Sequence, residues 1–353
     1  MTSQPLPCVS DAEYLTGVLR QCGALGEGRV RDVVAEATRP TLLSRIVRLR
    51  LTSDGAADGP ASLILKTGLP DCVAEVADLG RREVEFYTEI AAVMPWRPAP
   101  RCFEAVCDAD TKAWHLLLED LTDSHFIATP WPLPPTLEQC ESILRALARF
   151  HAAWWDDPRL GVSIGKWLGP DGMKAYLQRF ADRYQAFSDR LGDRLSGERR
   201  DLYERFLDAA PRLLARYYAH RDLSVVHGDA HVWNYFLPRE GTDDIRLFDW
   251  SAWRLGVASN DLAYMMALHW YPEHRRRMER PLLDHYHAAL VTHGVRSYGR
   301  RALADDYRFS TLWQLMTPVW QAAIDLPPVI WWNNLERILL AVDDLGCVEL
   351  LAP

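Results

Sequence analysis

Three side chains in the middle of the chain have the types and the spacing that phosphoryl transfer from ATP requires. Residues 225–234 read VVHGDAHVWN, which places Asp229 five positions before Asn234, and LFDWS further on supplies Asp249. In such chemistry one aspartate meets the acceptor hydroxyl, while an Asn and a second aspartate hold the metal ion that accompanies the nucleotide. Asp229 is then the group that orients the hydroxyl and takes its proton as the γ-phosphoryl leaves. Asn234 and Asp249 are the candidate Mg²⁺ ligands, with the ion bridging the ATP phosphates. His227 completes the catalytic group by bonding to nearby backbone and holding the loop in shape.

These residues need short strands to carry them. Val225-Val226 reads as a buried strand end and residues 235–237 as a second strand. Residues 245–248 return antiparallel after the turn Gly241-Thr242-Asp243-Asp244, so that Asn234 and Asp249 come to one edge. Two other readings compete. His227-x-Asp229-x-His231 offers three metal ligands in five residues, as a metallohydrolase would need, but the other nine histidines form no matching set. The polar residues could also merely cap a loop, with Asp249 in a surface turn.

The first third of the chain supplies partners. Residues 45–52 alternate as a strand, a turn spans Ser53–Pro60, and a second strand at 61–68 (ASLILKTG) ends near Lys66. A lysine there calls for a partner. Residues 79–93 have helical periodicity and offer Glu83, with Glu85 as the alternative. The pair Lys66–Glu83 would aim at the α- and β-phosphates. Residues 114–124 (WHLLLEDLTDS) fit a hinge whose backbone at Glu119 and Leu121 reads an adenine edge.

Taken together, the Lys66 strand pair, REVEFY at 82–87, LLLEDL at 116–121, ARFHAAWW at 148–155, VVHGDAHVWN, LFDWSAWRLG at 247–256 and NDLAYMMA at 260–267 resemble the aminoglycoside phosphotransferase/choline kinase-like superfamily, in particular its ecdysteroid-kinase-like branch. The resemblance covers nearly the whole chain. It implies an α+β, bilobal, protein kinase-like fold, with a small β-rich N-terminal lobe and a large, mainly helical C-terminal lobe. It also implies Asp229 as base, Asn234 and Asp249 as Mg²⁺ ligands, Lys66 with Glu83 as the phosphate-orienting pair, and Asp261 as a support of the catalytic loop. One departure stands out: the segment 39–48 (RPTLLSRIVR), where a kinase carries its glycine-rich loop, has no glycine. Backbone N–H groups and the Ser44 hydroxyl are expected to contact phosphate in its place. After Asp249 the chain enters a helix almost at once, leaving no activation segment for a peptide substrate, which favours small molecules.

Composition agrees. The chain has 353 residues, 48% of them hydrophobic, enough for one large core or two modest ones. A net charge of −8 argues against a nucleic-acid partner. No apolar run is long enough to cross a bilayer, and no signal peptide is visible. Seven cysteines without Cys-x-x-Cys suggest reduced thiols and a cytoplasmic setting. We expect a nucleotide-binding lobe over 1–124 and a catalytic, acceptor-binding lobe over 125–353, entered through the Pro-rich 129–135. A capping box at Ser10-Asp11-Ala12-Glu13 should open a helix to about Cys22. Further helices are expected near 137–155, 171–190, 197–219, 260–270, 276–293, 301–324 and 331–350.

The acceptor is the least determined part. All fourteen tryptophans except Trp96 and Trp114 lie from Trp131 onward. By family analogy Trp154, Trp155, Trp313, Trp320, Trp331 and Trp332 wall the acceptor cleft, although for each one alone packing is the commoner role. As a group they suggest a bulky, partly apolar alcohol. An aminoglycoside or sugar is the second reading, with Asp156, Asp157, Asp305, Asp306 and Glu349 as candidate carboxylates. A kinase-fold binding protein without turnover is the reading from another class.

Overall fold

The computed structural model describes residues 8–41, 44–54, 59–69, 74–241 and 243–352. They divide into two compact units, Met1–Phe126 with Phe236–Ala252, and Ile127–Tyr235 with Trp253–Pro353. The chain therefore passes between units three times. Residues 55–58 of the turn after residue 52, Leu42 and Leu43 of the glycine-free segment, and Thr242 of the later turn lie outside the described residues.

The first unit opens with helix α1 (Ala12–Gln21), followed by strands β1 (Arg29–Pro40), β2 (Ser44–Asp54) and β3 (Ser62–Gly68), helix α2 (Ala74–Glu85), and strands β4 (Cys102–Cys107) and β5 (Trp114–Glu119). The five strands form an antiparallel sheet of order β1-β2-β3-β5-β4. β1 was not part of the sequence reading, which began the sheet at residue 45. Helix α1 starts one residue later than a Ser10 cap would place it: Asp11 is the N-cap and its side chain makes no capping bond. Cys8–Ser10 are already wound into a 3₁₀ turn, which takes Ser10 off the capping position.

Alternation decides which face of the sheet each strand residue serves. Val47, Leu49 and Leu51 of β2, Leu63 and Leu65 of β3, and Leu117 of β5 pack with Leu15, Val18 and Leu19 of α1 in one buried cluster. Lys66, next in line on β3, points to the other face, where α2 lies. Trp114 wedges there between Gly68 and Gly80; a Cβ at Gly80 would come within 2.0 Å of the indole. Beyond Glu85 the helix continues as a π-helical turn, Phe86–Ile90, and a 3₁₀ turn, Ala91–Val93. Strands β6 (His125–Ile127), β8 (Tyr235–Pro238) and β9 (Arg246–Leu247) form a second sheet of order β6-β8-β9, which belongs to this unit except for Ile127 and Tyr235.

The second unit is mainly helical: α3 (Leu137–Ala153), α4 (Pro170–Leu191), α5 (Gly197–Leu213), α6 (Ala215–Tyr218), α7 (Ser259–Leu262), α8 (Pro272–Thr292), α9 (Arg300–Trp313), α10 (Met316–Ala323) and α11 (Pro328–Asp344). Strands β7 (Ser224–Val226) and β10 (Arg254–Gly256) pair antiparallel, with Arg254 opposite Val226. α7 runs on into a π-helical turn, Ala263–Leu268. A capping box does occur, at α3, where Thr136 and Gln139 bond reciprocally. The single helix expected over 301–324 is two. Pro318 has no N–H for the Gln314 carbonyl, which Thr317 takes instead at 3.0 Å, and the Leu315 carbonyl accepts from Tyr203 at 2.9 Å. No helix among the described residues is long and apolar enough to cross a membrane.

Candidate active site

In the first unit, β3 and α2 bring Lys66 and Glu83 together, as the strand–helix reading anticipated. Lys66 Nζ donates to Glu83 Oε1 at 2.9 Å and to Asp249 Oδ1 at 3.0 Å. Glu85 is not the partner; it pairs with Arg81 on its own helix. Burial opposes the charge on Lys66, but the carboxylates of Asp249 and Glu83 outweigh it and raise its pKa above the ordinary lysine value. For Glu83 burial is the larger effect and raises its pKa, against the pull of Lys66 and a hydrogen bond from the Trp250 backbone. Trp250 stacks on Phe86 of the α2 extension, ring centroids 3.8 Å apart, and donates its indole N–H to the Leu247 carbonyl. This clamp holds Asp249 in the left-handed region, φ 63°, with its carboxylate 40% exposed.

The hinge candidates sit at the end of β5. Glu119 accepts from the Arg101 backbone at 3.0 Å and lies 3.7 Å from Arg246. The Leu121 carbonyl closes the following turn by accepting from Ser124 and His125. Between them Asp120, absent from the sequence-based site, accepts from Arg48, Ser62 and Thr122 at 2.5–2.6 Å. Burial works against its charge, yet these bonds hold its pKa down to about 2. Ser44 is buried, its hydroxyl 2.9 Å from that of Thr41.

In the second unit the segment after β7 carries His227, Asp229 and Asn234. His227 is fully buried, and its Nδ1 accepts from the Asp229 N–H at 3.2 Å. Asn234 uses both amide protons on Asp229, one on the backbone carbonyl and one on Oδ2, each at 2.9 Å. That leaves Oδ1 as the atom the Asn234 side chain can present, an oxygen as a hard cation such as Mg²⁺ prefers. Asp261, fully buried on α7, accepts from the N–H of His227 at 2.7 Å and of Gly228 at 2.9 Å. His151 of α3 approaches the same carboxylate at 3.1 Å and contacts the Tyr286 hydroxyl of α8 at 2.7 Å. Burial raises the pKa of Asp261, but His151 and His227 and these amides bring it below the ordinary carboxylate value.

His151 and His231 are the participants that the sequence reading did not assign to the site. His151 sits at a helical core position, where its pattern is that of an apolar residue. His231 Nε2 stands 3.7 Å from Asp229 Oδ2. Among the described residues no three His, Cys, Asp or Glu side chains form a metal-binding group, so the His-x-Asp-x-His cluster is not one. Asp249 in the first unit and Asn234 in the second each present an oxygen of the kind a hard divalent ion prefers.

A sheet-bearing unit and a mainly helical one, the first with a lysine held between two carboxylates and the second with an aspartate-asparagine loop, define an α+β chain of kinase-like class. Residues 46–304 match the profile of the phosphotransferase enzyme family, and the chain belongs to that family. It is a phosphotransferase. Among solved structures it is similar in fold to a Ralstonia eutropha protein described provisionally as an aminoglycoside phosphotransferase, at 15% identity and TM-score 0.58, covering 96% of this chain and 98% of that one. A choline kinase of Streptococcus pneumoniae is similar at 14% identity and TM-score 0.52, covering 93% and 98%. An amicoumacin kinase in complex with AMP-PNP, Ca²⁺ and its ligand is similar at 14% identity and TM-score 0.50, covering 93% and 92%. No curated protein matches the chain.

Proposed function

We propose that the chain transfers the γ-phosphoryl group of Mg·ATP to a hydroxyl of a bulky, partly apolar small molecule. Asp229 receives the hydroxyl proton, and His227 and Asn234 hold Asp229 in place. Lys66, oriented by Glu83, meets the α- and β-phosphates, and Asn234 and Asp249 hold the metal ion that offsets charge on the transferred group. Ser44, beside Thr41, is a phosphate contact. Glu119 and Leu121 offer backbone groups to adenine; the Glu119 N–H is taken by the Arg101 carbonyl and the Leu121 carbonyl by the following turn. Residues 1–124 would form the nucleotide lobe and 125–353 the acceptor lobe.

The observation that carries this reading is the buried lysine held between Glu83 and the partly exposed Asp249, since a buried cation so perturbed marks a functional site and is suited to meet an anionic ligand. The test is ADP release with Mg·ATP against sugars, aminoglycosides, choline-like alcohols, sterols and macrolides, with Asp229→Asn in parallel. Acceptor-dependent release, lowered in the variant by at least about a hundredfold, supports the reading. Stimulation by aminoglycosides alone would replace the apolar acceptor. Nucleotide binding without stimulated release would favour a binding protein, and absence of nucleotide binding would overturn the kinase reading.

A further inference from the structure

Arg337 on α11 is only 5% exposed, and no carboxylate among the described residues accompanies it. The other two arginines buried among the described residues each have one: Arg246 pairs with Asp244, and Arg275 with Glu279 and Asp344. Buried charges are ordinarily paired, because removing them from water is costly. Arg337 donates one Nη to the His269 carbonyl at 2.9 Å and lies 4.4 Å over the Tyr271 ring. Burial lowers its pKa from the ordinary arginine value, with Tyr271 as the offsetting neighbour. His269 caps the π-helical turn Ala263–Leu268, and a cation at a helix C-terminus is favourable. The His269 carbonyl and the Tyr271 side chain, which also hydrogen-bonds the guanidinium, account for two of the five donors a guanidinium carries.

The surroundings point towards Asp229. The His269 ring meets the His231 ring edge-on, centroids 5.4 Å apart, and the Trp233 ring at 5.9 Å. His231 is the residue 3.7 Å from Asp229 Oδ2. His269 donates from Nδ1 to the Tyr264 carbonyl, and burial holds its pKa down to about 3, so it adds no charge. The indole N–H groups of Trp233 and of Trp270, next to His269 in the chain, are buried and have no acceptor among the described residues. Arg337 thus carries guanidinium donors that no carboxylate among the described residues meets, and its partner His269 packs on the His231 that stands beside Asp229.

We propose that Arg337 binds a carboxylate carried by the acceptor, so that the preferred substrate is a hydroxy acid whose hydroxyl lies at Asp229 and whose anionic end lies against α11. This rests on the reading of Asp229 as the group that meets the acceptor. Arginine suits the role because its planar fork matches two carboxylate oxygens. A site built this way rejects the uncharged analogue, which would leave the guanidinium uncompensated.

The test titrates 3-hydroxydecanoate and its methyl ester into the full chain without nucleotide, reading intrinsic tryptophan fluorescence. The acid should bind roughly tenfold or more tightly than the ester, as expected for a hydrogen-bonded charge pair. Arg337→Gln should abolish that preference, and Arg337→Lys should keep part of it. Thermal unfolding reports whether each variant is folded; if the glutamine variant is not, the acid–ester comparison in the unaltered chain decides. Equal affinity for acid and ester, no saturable signal with the acid, or a preference that survives Arg337→Gln overturns the proposal. The measurement needs no turnover, so its failure and the failure of the ADP-release experiment are separable.

Discussion

Asp261 commits both carboxylate oxygens to the backbone just ahead of Asp229, and it does so at zero exposure. Asp261→Ala would leave the buried His227 amide and the part-buried Gly228 amide without acceptors, and His151 without its carboxylate partner. A loss on the order of 3 kcal/mol is expected in denaturant unfolding, together with a fall in turnover as the loop loses its support. A variant as stable as the parent would show that water or another group replaces the carboxylate. Lys66→Ala should impair nucleotide use more than acceptor affinity, read from separate KM values; an acceptor-only defect would take Lys66 out of the phosphate site. At this scale the sequence was informative wherever order along the chain implies neighbours on adjacent elements, as for Lys66 and Glu83. It was silent on His151, which is brought to Asp261 by the packing of α3, and helical periodicity does not distinguish such a histidine from core.

Among the elements, α2 is set close to the sheet by the missing side chain at Gly80, against which Trp114 rests. Gly80→Ala would force the indole or the helix to move, at about 1–3 kcal/mol, and would lengthen the Lys66–Glu83 contact. A thermal midpoint equal to the parent's would show that Trp114 can shift freely. The segment after β5 is fastened to β2 and β3 through Asp120. Its pKa in the folded chain, about 2, is below the ordinary 3.8, so its contribution is present above pH 4 and is lost as pH falls towards 2. Asp120→Asn should therefore be less stable by roughly 2 kcal/mol near neutrality, with the difference closing over that acid range; a difference independent of pH would assign the loss to packing. The existence of α3, α4 and α8 was legible from apolar periodicity. The break between α9 and α10 was in view as Pro318, but a proline in the first turn of a helix and one in the middle of a long helix look alike until the partners of the carbonyls are known. β1 was missed because its exposed residues blur the alternation.

For the whole molecule, periodicity shows where sheet-forming sequence gives way to helix-forming sequence, but nothing in residues 236–252 announces that they return to the sheet-bearing unit. Short apolar strands read the same in either unit, and only pairing assigns them. That return has a consequence for synthesis. A ribosome releases residues 1–126 long before Asp249 and Trp250 exist, and until then Lys66 lacks its second carboxylate and Phe86 its stacking ring. The nascent N-terminal stretch must wait, incomplete, while the whole of 127–235 emerges. A fragment of residues 1–126 is accordingly expected to unfold without a cooperative transition, and one extended to Ala252 to regain it; a sharp transition in the short fragment would show that the late segment is dispensable. Protein made from one end to the other thus meets its first unit as an unfinished object, and its last strand, β9, and Trp250 act as the closing step of a fold begun some two hundred residues earlier.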